Sequence, residues 1–148
     1  MRARLGHNDG MDTLRENYQI KVNYADVSGE NALHYAANFG HNHTIDHLIR
    51  KHGLDINSVN RCGYNALMLA IINGRNETAE HLVNKYGIDI NHVNKDGKTA
   101  LDLAREKNKQ LWGKHPIVKF LISKGAKTGE ELTQEKSGFF SWLFSWFQ

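Results

Sequence analysis

The chain repeats itself every 34 residues, and that period constrains its fold more than any other feature. Asp26-Val27-Ser28-Gly29-Glu30-Asn31-Ala32-Leu33-His34-Tyr35-Ala36 aligns with Asn60-Arg61-Cys62-Gly63-Tyr64-Asn65-Ala66-Leu67-Met68-Leu69-Ala70. Asn94-Lys95-Asp96-Gly97-Lys98-Thr99-Ala100-Leu101-Asp102-Leu103-Ala104 makes a third copy. Gly29, Gly63 and Gly97 fall in register, as do Leu33, Leu67 and Leu101, and Ala36, Ala70 and Ala104. A fixed period in this range marks stacked supersecondary units, each unable to bury its apolar face without a neighbour. Such stacks serve as binding surfaces, which argues against an enzyme.

Within a unit the apolar residues follow helical spacing. Leu33, Ala36 and Ala37 line one face of a short helix that Asn31 can cap. Gly40 breaks it, and Ile45, Leu48 and Ile49 then mark a second helix by their i, i+3, i+4 spacing. Gly53 ends that helix, and Leu54-Asp55-Ile56-Asn57 leads out in extended form. The second unit repeats the order with Asn65, Leu67/Ala70/Ile71, Gly74, Ala79/Leu82/Val83 and Gly87. The register predicts helices over 31–38, 43–52, 65–72, 77–86, 99–111 and 116–124. In the third unit the stripe Leu101, Ala104, Asn108, Leu111 extends the first helix to Leu111, where Gly113 would stop it. Pro116 would open the second helix, a position that suits proline. Trp112 at this five-residue insertion is read as a packing residue.

These residues resemble the ankyrin repeat, whose signature is a D-x-x-G turn, a T-P-L-H-x-A first helix, a G-H turn and a second helix closing in G-A-D-V-N. Unit one supplies Gly29, Asn31-Ala32-Leu33-His34-Tyr35-Ala36-Ala37, Gly40-His41 and Gly53-Leu54-Asp55-Ile56-Asn57, and the resemblance covers roughly residues 14–126. Ala32, Ala66 and Ala100 replace the family's proline, and Met68 and Asp102 stand where unit one has its histidine. None of these changes removes a core position. The resemblance implies an all-α solenoid: an N-terminal half repeat or cap over 1–26, with a helix near Asp12 to Asn17, and three units over 27–126. An acidic linker and aromatic tail over 127–148 follow.

The resemblance also implies a protein partner, met by the turn tips and the exposed side of the first helices. Carried over residue by residue, these positions are Val27, Ser28, Glu30, Asn38 and Phe39, then Arg61, Cys62, Tyr64, Ile72 and Asn73, then Lys95, Asp96 and Lys98. Phe39, Tyr64 and Ile72 are apolar residues that the core of a repeat does not require, although Phe39 and Ile72 could pack on each other between units. Arg61 and Tyr64 are of the types that dominate interface hot spots.

Other chemistry is weakly marked. Nineteen Lys+Arg against 16 Asp+Glu give a formal charge of +3 with mixed signs, so no nucleic-acid partner is expected. Of nine histidines, His43 and His47 share one helical face, but Ile45, Leu48 and Ile49 turn that face outward and no cysteine joins them. No metal or cofactor is expected. His92 and Leu103 occupy the first and last places of a hypothetical calcium loop about Gly97, where carboxylates are needed. Cys62 is the single cysteine, which suits a reducing compartment. Residues 1–10 have no apolar h-region, and no window reaches the length of a transmembrane helix. A cytoplasmic monomer is the expectation.

The C-terminal end is foreign to the rest in composition. Phe139, Phe140, Phe144 and Phe147 are four of six phenylalanines, and Trp142 and Trp146 two of three tryptophans. As a helix the segment leaves a thin stripe of Ser137, Ser141 and Ser145. It is too short to span a bilayer. It is read as a hydrophobic cap on the last repeat, as a membrane contact that would make the protein a membrane-associated scaffold, or as a linear signal. With Glu130, Glu131 and Glu135 just upstream, it resembles the C-terminal export signals of type IV secretion effectors of intracellular bacteria. That resemblance implies release into a host cell. The cap is the favoured structural role, and it requires Trp142 and Trp146 to be shielded.

Overall fold

Each unit of the period begins with a polar side chain that stops the chain being extended and starts a helix. Asn31, Asn65 and Thr99 sit in β-like backbone and accept from the amides of His34, Met68 and Asp102, three residues on. This satisfies an amide that the first helical turn leaves without a partner. In this computed structural model, which describes residues 24–111 and 114–147, the first helices are α1 (Ala32–Phe39), α3 (Ala66–Ile72) and α5 (Ala100–Lys107). Their partners are α2 (Asn42–His52), α4 (Asn76–Tyr86) and α6 (Pro116–Ser123). A seventh helix, α7 (Gly129–Trp146), follows. The described residues contain no strand, and the fold is an all-α repeat solenoid.

The stacking is one-dimensional. α1, α3 and α5 pack in file, and α2, α4 and α6 each pack on the first helix of their own unit. Leu33, Leu67 and Leu101 are all buried between these layers, with Ala36, Ala70 and Ala104 keeping the helices close. From the second helices Ile45, Leu48, Leu82, Ile117, Val118 and Leu121 complete one continuous core. Burial of each large aliphatic side chain contributes about 1.5–3 kcal/mol before entropy is counted.

The cap residues also hold each unit to its own exit loop. Asn31 Nδ2 donates to Ser58 Oγ at 3.2 Å, Asn65 Nδ2 to the Asp89 carbonyl at 3.4 Å, and Thr99 Oγ1 to the Lys127 carbonyl at 2.6 Å. Buried His34 adds a bond of its own. Its Nδ1 accepts from the Asn31 amide at 3.0 Å, so its Nε2 carries the proton and donates to the Ser58 carbonyl at 3.0 Å. Burial holds the His34 pKa below the usual histidine range, and the ring is neutral.

Four expectations meet a different outcome or fall out of view. The first helix of unit three stops at Lys107 instead of running to Leu111. Asn108 ends it, its Nδ2 taking the Ala104 carbonyl at 2.8 Å, and a 3₁₀ turn, Lys109–Leu111, follows. Side-chain amides that compete for backbone groups in this way favour helix ends. The segment read as linker plus tail is crossed by the single helix α7, capped by Thr128 and Glu131. The helix near Asp12 to Asn17 and Trp112 lie outside the described residues.

Candidate partner-binding face

The three turns are built alike. The side-chain Oδ1 of Asp26, Asn60 and Asn94 accepts from two amides ahead of it: Ser28 and Glu30, Cys62 and Tyr64, Asp96 and Lys98. Adjacent turns are then tied by backbone bonds, Arg61 N to Ser28 O at 2.9 Å and Lys95 N to Cys62 O at 3.1 Å. Gly29 and Gly63 sit at these junctions with φ of 76° and 80°. A Cβ on Gly29 would lie 2.9 Å from Arg61 N, and one on Gly63 would lie 3.0 Å from Lys95 N. Glycine is needed here both for the left-handed backbone and for the close approach of the next turn.

The consequence is a ridge whose turns are held by backbone hydrogen bonds while their tip side chains face solvent. Val27, Ser28, Arg61, Cys62, Lys95 and Asp96 are all exposed. On the first helices Phe39 is 59% exposed and Ile72 38%, so each keeps surface open to solvent. Tyr35, 44% exposed, stands one helical turn before Phe39 and extends this apolar strip. Sequence reasoning passed over Tyr35, although its i, i+4 spacing to Phe39 was an available signal.

The other residues carried over from the resemblance are at least partly committed within the protein. Asn73 Nδ2 donates to Asn38 Oδ1 at 2.9 Å and to the Leu69 carbonyl at 2.8 Å. Arg75 Nε donates to the Asn38 carbonyl at 3.1 Å, and Lys107 Nζ to the Ile72 carbonyl at 2.6 Å, so each unit clamps the first-helix end of the unit before it. Lys98 pairs with Glu106 at 2.7 Å. Glu30 accepts from Asn60 Nδ2 at 3.3 Å. Tyr64, read as surplus to the core, packs partly buried against it. Tyr64 also occupies the place that Glu30 holds one unit earlier, and buried Asn94 Nδ2 consequently has no acceptor among the described residues.

On the opposite face, Asp46 of α2 links two units. It accepts from His81 Nε2 at 2.7 Å, from Lys85 Nζ at 2.8 Å and from the Tyr86 hydroxyl. Partial burial alone would raise the Asp46 pKa, but the donors Lys85, Tyr86 and His81 hold it well below the usual carboxylate range. Burial and the Asp46 carboxylate push the Tyr86 hydroxyl up to about 12. Sequence reasoning missed this hub, because its members lie 35 to 40 residues apart. His43 and His47 are exposed nearby, and no group of three or more metal-binding side chains occurs among the described residues.

At the C-terminal end, Glu131 accepts from the Thr128 amide at 2.8 Å, Glu130 from Gln134 Nε2 at 3.4 Å, and Glu135 pairs with Lys127, so all three glutamates have partners in or beside helix α7. Trp142 and Trp146 are 60% and 77% exposed, which overturns the cap reading. Its physical reason lies in length. At 1.5 Å per residue an 18-residue helix extends about 27 Å, roughly twice the reach of the eight-residue α5. Residues 133–138 are already exposed, and so are residues 142–147. No helix among the described residues is long and apolar enough to cross a membrane.

A family model described as "Ankyrin repeats (3 copies)" matches residues 2–94 and again residues 33–131. No curated protein matches the chain.

Proposed function

Because the chain belongs to the ankyrin-repeat family, typically a family of protein–protein interaction modules and not of enzymes, we propose that it binds its partner protein through one continuous ridge. The ridge runs from Val27, Tyr35 and Phe39 through Arg61 and Ile72 to Lys95 and Asp96. The observation that supports this reading is the division of labour at the turns. Backbone bonds tie Ser28 to Arg61 and Cys62 to Lys95, so the turns that present the tip side chains are already ordered, which lowers the backbone part of the cost of binding. Next to them the exposed Tyr35–Phe39 strip offers apolar surface bounded by polar groups, the arrangement that marks interaction sites.

The test is competitive. Partners captured on the wild-type chain are compared with those held by Phe39→Ala, Arg61→Ala and a His43→Ala/His47→Ala control on the other face. A partner lost in the first two at unchanged melting temperature and kept by the control supports the ridge. Loss confined to the His43/His47 variant moves the interface to the opposite face. Hot-spot truncations of this kind cost about 2 kcal/mol or more.

A further inference from the structure

Helix α7 changes character halfway along its length. Its first part carries Glu130, Glu131, Glu135 and Lys136; residues 137–147 carry no charged side chain at all. The described apolar side chains of this second part, Trp142, Leu143, Phe144, Trp146 and Phe147, are all exposed. At about 100° per residue they fan across roughly 200° of the helix surface. Ser137, Gly138 and Ser145 fill the remaining arc, and the Ser145 hydroxyl turns back to the Trp142 carbonyl at 2.8 Å.

The breadth of the apolar fan and the missing charge select the surface that could cover it. A second copy of α7, or a protein groove, buries a narrower stripe of a helix and would leave aromatic rings in water on both sides. A lipid interface accepts half a cylinder, with tryptophan at the headgroup level. An anionic surface is disfavoured. The uncharged arc supplies no lysine or arginine to meet it, and the preceding part of the helix sets three glutamates against the single Lys136, a net negative charge that would be repelled. A neutral bilayer imposes no such repulsion, and it is entered where loose packing exposes its acyl chains to bulky rings.

We propose that the second half of α7 is a lipid-surface anchor that inserts into loosely packed, electrically neutral membranes by burying Trp142, Leu143, Phe144, Trp146 and Phe147. The first half of the helix is a charged spacer. The Thr128–Glu131 capping box and the 2.8 Å bond from the Gly129 amide to Asp102 fix it to the last repeat. The ridge made by the turns stays accessible while the anchor is engaged.

The test uses the full chain with vesicles of pure dioleoylphosphatidylcholine, prepared small and highly curved or large and flat, and with the same lipids plus phosphatidylserine. Flotation measures binding, and quenching of tryptophan emission by brominated lipid measures insertion. The expected result is binding to small neutral vesicles that resists high salt, weakens on large vesicles and does not improve with phosphatidylserine. The triple variant Phe144→Ser/Trp146→Ser/Phe147→Ser should bind about tenfold or more weakly while its circular-dichroism melt stays put. Three outcomes overturn the proposal: no flotation with any neutral vesicle, binding that requires phosphatidylserine and fails in salt, or a dimer in sedimentation whose formation abolishes lipid binding. If the triple variant loses its fold, Trp146→Ser alone is used: weaker flotation on small neutral vesicles than wild type supports the anchor, and flotation equal to wild type counts against it.

Discussion

Thr99 and Thr128 do the same thing in two neighbouring helices, yet the helices meet different fates. Each threonine closes a capping box with an acidic residue three places on, Asp102 in α5 and Glu131 in α7. α5 is packed on both α3 and α6, and its apolar residues are buried. Beyond Leu132, α7 has no neighbour to bury against among the described residues, and it ends in exposed aromatic rings. Local chemistry is thus enough to start a helix, while burial requires a second surface supplied by the next unit. In a one-dimensional stack, stability resides in the interfaces between units, and a helix outside them adds little.

The largest effect should come from emptying the middle of the stack. Leu67→Ala removes a fully buried side chain from α3, which touches α1, α4 and α5, and should cost about 2–5 kcal/mol. A thermal melt should show the whole described array shifting together; a wild-type melt would break the contrast between stack and stalk.

Glycine substitutions sharpen the contrast, since the sign should reverse. Gly63→Ala forces a Cβ against Lys95 N at 3.0 Å in left-handed backbone and should destabilise by about 1–3 kcal/mol. Gly138→Ala lies in α7 with open space around it and should instead raise helicity, by about 0.5–1 kcal/mol. Far-ultraviolet circular dichroism and denaturant midpoints distinguish the two. An equal penalty at both sites would mean that α7 is as tightly packed as the turns.

Acid should weaken the stack at two different points. The folded-state pKa of His34 lies below its ordinary 6.5, so the unfolded chain takes up that proton first. Its contribution is full above about 6.5 and declines as pH falls from there. The folded-state pKa of Asp46 lies below its ordinary 3.8, so its contribution persists until pH falls under that value. His34→Met, which borrows the residue used at Met68, should flatten the fall in melting temperature between about pH 7 and 5 relative to wild type. Identical pH profiles would show that the buried ring is not the sensor.

The smallest change is expected from the most conspicuous segment. Deleting residues 137–148 should leave the melting temperature almost where it was, because the described aromatic side chains removed are exposed. A drop of several degrees would return the segment to the role of a cap.

Much of the fold was legible because the repeat uses the same local devices each time. Asn31, Asn65 and Thr99 announce helix starts, and Leu33, Leu67 and Leu101 announce the buried face, all within a few residues of one another. The candidate face was legible only in part. Val27, Phe39 and Arg61 are exposed as expected, whereas Asn38 and Asn73 bond across units and Tyr64 leans into the core. The end of α5 was misjudged for a related reason: the spacing of Leu101, Ala104, Asn108 and Leu111 suits a helix, but the Asn108 amide takes a backbone carbonyl that the spacing does not register.

By itself, then, the order of residues determined the period, the capped helix starts and the aliphatic positions that must be covered. These are consequences of backbone hydrogen bonding and of apolar periodicity, which act within about one turn of helix. Tertiary structure alone decided which ridge side chains are exposed, that Asp46 gathers donors from the following unit, and that the described aromatic side chains at the end of α7 are exposed. Each of those depends on what lies about 34 residues away across an interface, and a side chain's exposure is settled by its neighbours in space.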